Sequence, residues 1–491
     1  MVKAVVGEET QLNVVEDRLS QSSIPAQVGL VIGKLSSTLD KGFVYDLLPT
    51  PPNDAGELAC SLIDTKDDNK KKGSKPKSQQ PPDFSSLIID NDWVAEHARQ
   101  VTRMLVGGVH VIGIYIWVSH SAFKNSTMLL SQTVKGVAEA APISGVDLDE
   151  RLLIHISYSP RRWTCRNCVL SSNITSTSVR PCDFKKGRVL SSLQMYRSTY
   201  NFDIRLPLSR DNATNALTLG EVLRRGIAVA GRELNSSKAT IDGKLVVNND
   251  QCTADGMHEV EFLIPFMNSS VEASRQKDVI GTLVFRGSVI SFAIVNSKEL
   301  ASLAVADIKD DIIRSLQSRL DIICDDAEEN LESTLDAGNE ASGDISSGKP
   351  LSHRPLHELR KSCNISLPRR IFVPWLPGTY ICVYLQPSET IEVLKDHFVE
   401  LISMEAPSDA SKILEPELEA PSLNIASFWD TLGPSSSVPN NSTSSTKKKT
   451  ETSSRRKEIS QTTVGFNITS FTAAVFILLL SALVGYLLTK R

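Results

Sequence analysis

No Gly-x-Ser-x-Gly pentapeptide and no His-Glu-x-x-His stretch occurs in these 491 residues. The first absence removes the serine-hydrolase nucleophile elbow, and the second removes the common zinc-protease helix. Residues Gly226 to Gly231 read GIAVAG, but no Lys-Ser or Lys-Thr pair follows, so this is not a phosphate loop. Charge of one sign is scarce as well. A net charge of -4 with 22% charged residues gives no long-range attraction for a polynucleotide, and no nucleic acid is expected as a partner. The opening MVKAVVGEETQLNVVEDRL has no long apolar core, and Glu8, Glu9, Glu16 and Asp17 interrupt it, so no secretory leader is expected there. The eight cysteines, at 60, 165, 168, 182, 252, 324, 363 and 382, are scattered, and in a reducing cytosolic body they imply no disulfide framework.

What the chain does have is a hydrocarbon-length terminal run. Val464 to Leu488 is 25 residues without a charge, against the roughly 20 that span a bilayer as a helix. Lys447, Lys448, Lys449, Arg455, Arg456 and Lys457 precede it, whereas only Lys490 and Arg491 follow. That asymmetry places the large N-terminal portion in the cytosol, and the basic tract is also suited to anionic lipid head groups. With three residues beyond Leu488, insertion must follow release from the ribosome. The expectation is a single-pass, tail-anchored membrane protein with a cytosolic body and the lipid bilayer as one partner. Asn-x-Ser/Thr triplets at Asn125, Asn173, Asn212, Asn364 and Asn467 carry little weight in such a body.

The fold expected is α/β or α+β around an interior sheet, with an α/β domain over 1–200. Val28 to Ile32 and Phe43 to Leu48 are β-favouring runs joined as a hairpin. Residues 53–82 contain KDDNKKKGSKPKSQQPP, which offers almost nothing to bury and reads as a disordered loop. Asp90 or Asp92 is placed to cap a helix with Val94, Ala98, Val101 and Leu105 on one face, ended by Gly107 and Gly108. A buried strand, His110 to Val118, follows, then a helix over Thr127 to Ala138 and a strand over Leu152 to Tyr158.

A second strand-rich and helical region is expected over 201–402. Glu259 to Phe266 and Thr282 to Val295 read as strands, the latter broken at Arg286 and Gly287 as in a hairpin. Ala304 to Ile323 is an amphipathic helix whose Asp- and Arg-rich face either covers a sheet or receives a partner helix. Glu328 to Pro350 reads as a loop. Two short strands around Pro374, Pro377 and Gly378, then a helix over Ile391 to Ile402, are placed to close the core. Residues 403–463 read as a flexible tether to the anchor at 464–488, with Ile425 to Leu432 as its only contact motif. Segments 300–323 and 425–432 are the ones expected to face partners.

Cys165 and Cys168 form the sole Cys-x-x-Cys pair. Zinc needs further nitrogen or sulfur ligands; Cys182 is a third candidate and His155 a conceivable fourth, though it lies in an expected strand. Ordinary reduced cysteines are the leading reading. A thiol hydrolase needs its nucleophile and base to meet in space, which counts of Cys and His do not specify. His97 and His110 read as packed or surface histidines, and Trp375 with Tyr380 reads as packing before it reads as a binding surface. No residue is assigned a catalytic, cofactor-binding or metal-binding role, and no cofactor is expected.

The stretches DNDWVAEHARQVTRMLVGGVHVIGIYI and LPRRIFVPWLPGTYICVYL, with the terminal span, resemble the odorant response abnormal protein four family. GLVIGKLSS and FVYDLLPTPP are similar to that family's beginning. The resemblance implies a JAB1/MPN-like α/β body that is non-catalytic. The segment after the helix at 92–106 supplies His110 alone, with no His-x-His followed by serine and aspartate, whereas a hydrolytic zinc needs three protein ligands and an open water position. It also implies an adaptor of the endoplasmic reticulum membrane that recruits the soluble peptidase of the ubiquitin-fold modifier and supports trafficking or maturation of membrane receptors. A direct receptor chaperone and a cysteine hydrolase are the alternatives.

Overall fold

Short β-branched runs separated by turn residues build the first half of the chain, and in the computed structural model they close into a barrel. The structure describes residues 2–64, 85–143, 150–170, 179–209, 218–247, 256–264, 279–336, 363–390, 398–402, 417 and 419–427. Strand β1 (Ala4–Glu8) leads into helix α1 (Glu9–Gln21), and β2 (Gln27–Ser36) and β3 (Lys41–Pro49) form the expected hairpin. Strand β4 (Cys60–Asp64) pairs with β5 (Ser85–Ile89), so the loop expected over 53–82 contains a strand at its start, where Ala59 and Cys60 are buried. There follow α2 (Asn91–Met104), β6 (His110–Trp117), α3 (His120–Asn125), α4 (Thr127–Ala140), β7 (Glu150–Tyr158), β8 (Arg161–Val169) and β9 (Val179–Gly187). Seven strands run in the order β1-β3-β2-β6-β7-β8-β9, and β9 closes the circle by pairing in parallel with β1.

Strand β6 shows why its sequence is apolar without a break. A register shift opposite Val31 and Ile32 leaves Ile112 as a bulge, and a bulge changes which face each following side chain takes. Ile112, Tyr115 and Trp117 pack with Leu12, Val15 and Leu19 of α1, whereas Val111, Ile114 and Ile116 pack with Val94, Ala98 and Val101 of α2. Both faces are buried, as in a strand covered on two sides. The Asp90 carboxylate accepts the Trp93 N–H and caps α2. That helix stops at Met104, ahead of the glycines expected to end it.

The second sheet is built from β10 (Leu193–Ser209), β11 (Lys238–Ile241), β12 (Lys244–Leu245), β13 (Met257–Leu263), β14 (Val279–Asn296), β15 (Cys363–Ser366) and β18 (Ser422–Ser427), in the order β12-β11-β13-β10-β14-β18-β15. Helices α5 (Leu219–Ser236) and α6 (Ala301–Asp336) cover it, and β16 (Arg369–Pro374) and β17 (Tyr380–Leu385) form a separate hairpin. The hairpin expected at Arg286 and Gly287 does not form: β14 is one strand paired with β10 along its length. Arg286 lies opposite Asp203, a favourable cross-strand charge pair, and a Cβ on Gly287 would meet Pro421 at 2.8 Å. A close approach, and not a turn, requires that glycine.

Two further expectations are corrected. Helix α6 continues to Asp336, through the start of the loop expected at Glu328 to Pro350. Within the stretch expected as tether, Ser422–Ser427 is an internal strand between β14 and β15, so residues 425–427 of the expected contact motif are already paired inside the fold. The β16–β17 hairpin returns to the first core, where Ile371, Phe372 and Ile381 pack with residues of α2 and β6. Residues 464–488 lie outside the described residues, and among the described ones no helix is long and apolar enough to cross a membrane. The architecture is mixed α/β, as expected.

Candidate functional site

The barrel and the second sheet meet at Gly107 and Gly108. The Gly107 N–H donates to the Phe292 carbonyl at 2.8 Å, and the Ile294 N–H donates back to Gly107 at 2.9 Å. A Cβ on Gly107 would lie 2.6 Å from the Asp307 carbonyl, and Gly108 has a φ of +75° with Ile294 O 2.5 Å from its missing Cβ. Two backbones come together here because both residues lack a side chain.

Helix α6 runs along this seam and fills it with charge. At its start Lys34 donates to Asp307 at 2.7 Å and lies 3.4 Å from Glu299. Burial acts to neutralise Lys34, but Asp307 and Glu299 outweigh it and keep the ammonium protonated. One turn on, Asp311 receives both terminal nitrogens of Arg370, the Ser291 hydroxyl at 2.7 Å and Arg314 at 3.2 Å. Burial pushes the Asp311 carboxyl up, and the guanidinium beside it reverses that and holds it below the usual carboxylate range. Two turns further, Arg319 Nη2 donates to both carboxylate oxygens of Glu417 at 2.7 and 2.8 Å, and Glu417 also accepts the N–H groups of Ile290 and Arg370. The charged stripe expected to cover a sheet or receive a partner helix therefore covers the sheet, and its ions are consumed internally. Sequence reasoning assigned no role to Lys34, Asp307, Asp311, Arg370 or Glu417. The polar stripe Asp311, Ser315, Arg319, at helical spacing beside Ile308 and Ile312, was a usable signal.

The cysteines and histidines singled out in the sequence are not assembled into one centre. Cys165 and Cys168 are three apart on β8, and an odd separation on a strand puts side chains on opposite faces. Accordingly Cys165 packs beneath α1, and Cys168 packs in the core shared with α2. Cys165 is the cross-strand partner of Cys182. A hydrogen bond between these thiols raises Cys165 and lowers Cys182, which is half-buried. His155 neighbours Ile154, the partner of Cys165, and so faces the other way, stacked on Phe123 at 4.0 Å with Nε2 donating to the Val118 carbonyl. Burial pushes His155 down to about 4. His97 is pushed down to about 4 by the same cause; its Nε2 donates to the Leu401 carbonyl at 2.8 Å, and Nδ1 accepts from Thr50. Trp375 and Tyr380 pack against the first core, with Tyr380 tilted against Phe292 at 5.6 Å. Among the described residues, no three His, Cys, Asp or Glu side chains converge in a metal-holding group.

His110 reaches an open space. It lies at the floor of a cleft of about 840 Å³ between the first turns of α6, the end of α5 and β12. Burial, with the cations Arg314, Lys34 and Arg151 nearby, holds the imidazole neutral. Leu245, Val246 and Leu303 form apolar wall, Asp307 shares the floor, and Lys309 spends its ammonium on the Asn235 and Ser237 carbonyls that end α5. The lining mixes apolar side chains with as many polar and charged ones, among them Lys238, Ser302 and Asp310.

Comparison with known proteins gives a consistent relationship. The odorant response abnormal 4-like (ODR4-like) family model matches residues 29–413. The protein odr-4 homolog of Mus musculus is 26% identical over 415 residues, covering 80% of this chain and 81% of the relative. The Homo sapiens homolog is 25% identical over 399 residues, covering 76% and 77%, and that of Dictyostelium discoideum is 23% identical over 403 residues, covering 80% and 78%. Among solved structures, UfSP from C. elegans aligns over 82% of this chain and 57% of its own, at 8% identity and a TM-score of 0.36.

Proposed function

The chain belongs to the odorant response abnormal 4-like family, and from that premise we propose that it is a tail-anchored adaptor of the endoplasmic reticulum membrane with its body in the cytosol. The body, of JAB1/MPN-like design, recruits the soluble peptidase of the ubiquitin-fold modifier, and the assembly supports trafficking or maturation of membrane receptors. The adaptor does no chemistry itself. The observation that carries this reading is the state of its reactive groups. Cys60 and Cys168 are pushed up to about 12 by burial, and His97 and His155 are held neutral and bonded to backbone carbonyls. A thiol nucleophile requires a lowered thiol beside a free base; Cys182 is lowered, but by the hydrogen bond from Cys165, and His155 faces away from that pair.

The apolar run at 464–488 supports membrane attachment through its length and basic flank. Confinement to a surface raises the local concentration of whatever the body binds. A mild-detergent affinity purification of the full chain tests the partner: the modifier peptidase is recovered in stoichiometric amount. Recovery of receptor spans without the peptidase would instead make the protein a direct receptor chaperone.

A further inference from the structure

We infer that Cys165 and Cys182 form a redox switch at the seam of the barrel, oxidised by a hydroperoxide to a reversible disulfide that staples β8 to β9. The inference stands apart from the adaptor reading, since it requires neither a partner nor a membrane.

Position makes the pair. Cys165 and Cys182 are direct partners in the antiparallel β8–β9 ladder, so their side chains share one face. Opposed residues on such strands have Cα atoms about 4.5 or 5.5 Å apart, and both spacings lie inside the roughly 4.4–6.8 Å that a disulfide bridges. The two thiols are already hydrogen-bonded to one another. Cys168, by contrast, lies opposite Val179, and Cys60 lies opposite Ile89.

The two sulfurs are unequal in the way that peroxide sensing needs. Cys182 is half-buried, whereas Cys165 is buried beneath α1. The hydrogen bond from Cys165 holds Cys182 below the ordinary thiol range, outweighing burial and the Asp183 and Glu150 carboxylates that act against it. Cys182 is therefore the nucleophile, and Cys165 the resolving thiol. The Cys182 thiolate attacks a peroxide oxygen; an S–O bond forms as the O–O bond breaks, and the alkoxide or hydroxide that leaves takes a proton from solvent. Cys165 then attacks the sulfenic sulfur; the S–S bond forms, the S–O bond breaks, and the Cys165 proton leaves with the oxygen as water. Two thiols lose two electrons, and the hydroperoxide that gains them becomes an alcohol or water.

The ladder shows what the bond would fix. Among the described residues β8 makes nine registered pairs with β7 but four with β9, and Cys165–Cys182 is an end pair. From Asp183 onward β9 pairs with β1, which closes the barrel, and Cys182 Sγ lies 3.9 Å from the Val2 carbonyl just ahead of β1. A disulfide there clamps the point at which β9 passes from one neighbour to the other. In a reducing compartment such a bond is transient and serves sensing.

The test exposes the reduced full chain, in mild detergent, to hydrogen peroxide and reads the cysteines by alkylation and peptide mass spectrometry. A Cys165–Cys182 disulfide should accumulate, both thiols being lost together about tenfold faster than Cys60 and Cys168, and dithiothreitol should restore them. The oxidised protein should melt several degrees above the reduced one. Cys182→Ser, at a half-buried site, should leave Cys165 reduced under the same exposure, and Cys165→Ser should stop Cys182 at a sulfenic acid that dimedone captures. Because Cys165 lies in the core, the parent and Cys182→Ser decide the matter if Cys165→Ser does not fold. Absence of the Cys165–Cys182 bond from the oxidised parent, sulfinic acid at Cys182 in its place, or unchanged loss of the Cys165 thiol in Cys182→Ser would overturn the inference. Equal melting of the oxidised and reduced forms would overturn the staple.

Discussion

Arg370 directs both terminal nitrogens onto Asp311, at 2.7 and 2.9 Å, and neither side chain is more than 1% exposed. The pair joins the late β16–β17 hairpin to helix α6. Removing one member strands the other charge without water, which costs about 3–5 kcal/mol, whereas replacing a buried pair by apolar groups of similar volume is often neutral. Asp311→Ala should therefore destabilise the protein by about that amount in urea unfolding, and Asp311→Leu with Arg370→Met should recover at least half of it. Equal losses in single and double variants would mean that the pair is not the unit of stability.

The pH dependence follows from His97. Its folded pKa, pushed down to about 4, lies below the ordinary value of 6.5. The unfolded chain thus binds the proton first, so the stabilisation is complete above about pH 6.5 and lost as pH falls towards 4. At about 1.4 kcal/mol per unit the change is about 3 kcal/mol. His97→Gln keeps a donor for Leu401 without titrating, and denaturant midpoints between pH 6.5 and 4 should fall less steeply for it than for the parent. An unchanged slope would move the effect elsewhere, His155 first.

Thiol reactivity should separate the cysteines. The Cys165 hydrogen bond lowers the half-buried Cys182 thiol, whereas Cys60 and Cys168 are pushed up to about 12 by burial. Iodoacetamide at pH 7, read by mass spectrometry, should label Cys182 well before Cys60 and Cys168, which should react only on unfolding. Cys165→Val removes the hydrogen bond and should shift the labelling midpoint of Cys182 to higher pH. Fast labelling of Cys60 or Cys168 in the folded protein would contradict the assignment.

Local patterns carried much of this fold in the sequence, and long-range ionic partners did not. The face of α2 was legible because Val94, Ala98 and Val101 recur at helical spacing, and each is buried. Arg286-Gly287 looked like a turn because its requirement for glycine is set by Pro421, far along the chain. The Asp- and Arg-rich face of α6 left a covered sheet and a partner helix both open, because the partners of Asp311 and Arg319, Arg370 and Glu417, lie 59 and 98 residues away. The Cys165–Cys168 spacing read first as ordinary reduced cysteines with zinc as the alternative, and on a strand that spacing divides two faces. The His110 cleft was invisible for the same reason as the ions: α5, α6 and β12 come together only in the tertiary fold.

The central claim is that the protein brings a soluble peptidase to a membrane, and vesicle flotation reads this directly. Purified modifier peptidase is mixed with endoplasmic-reticulum-like liposomes carrying the inserted full chain, or with the same liposomes and the chain lacking residues 464–491. The peptidase should float with the full chain only, while the truncated protein and the peptidase stay together in the dense fraction. Flotation of the peptidase with the truncated chain, or its failure to float with the full chain, would contradict the account.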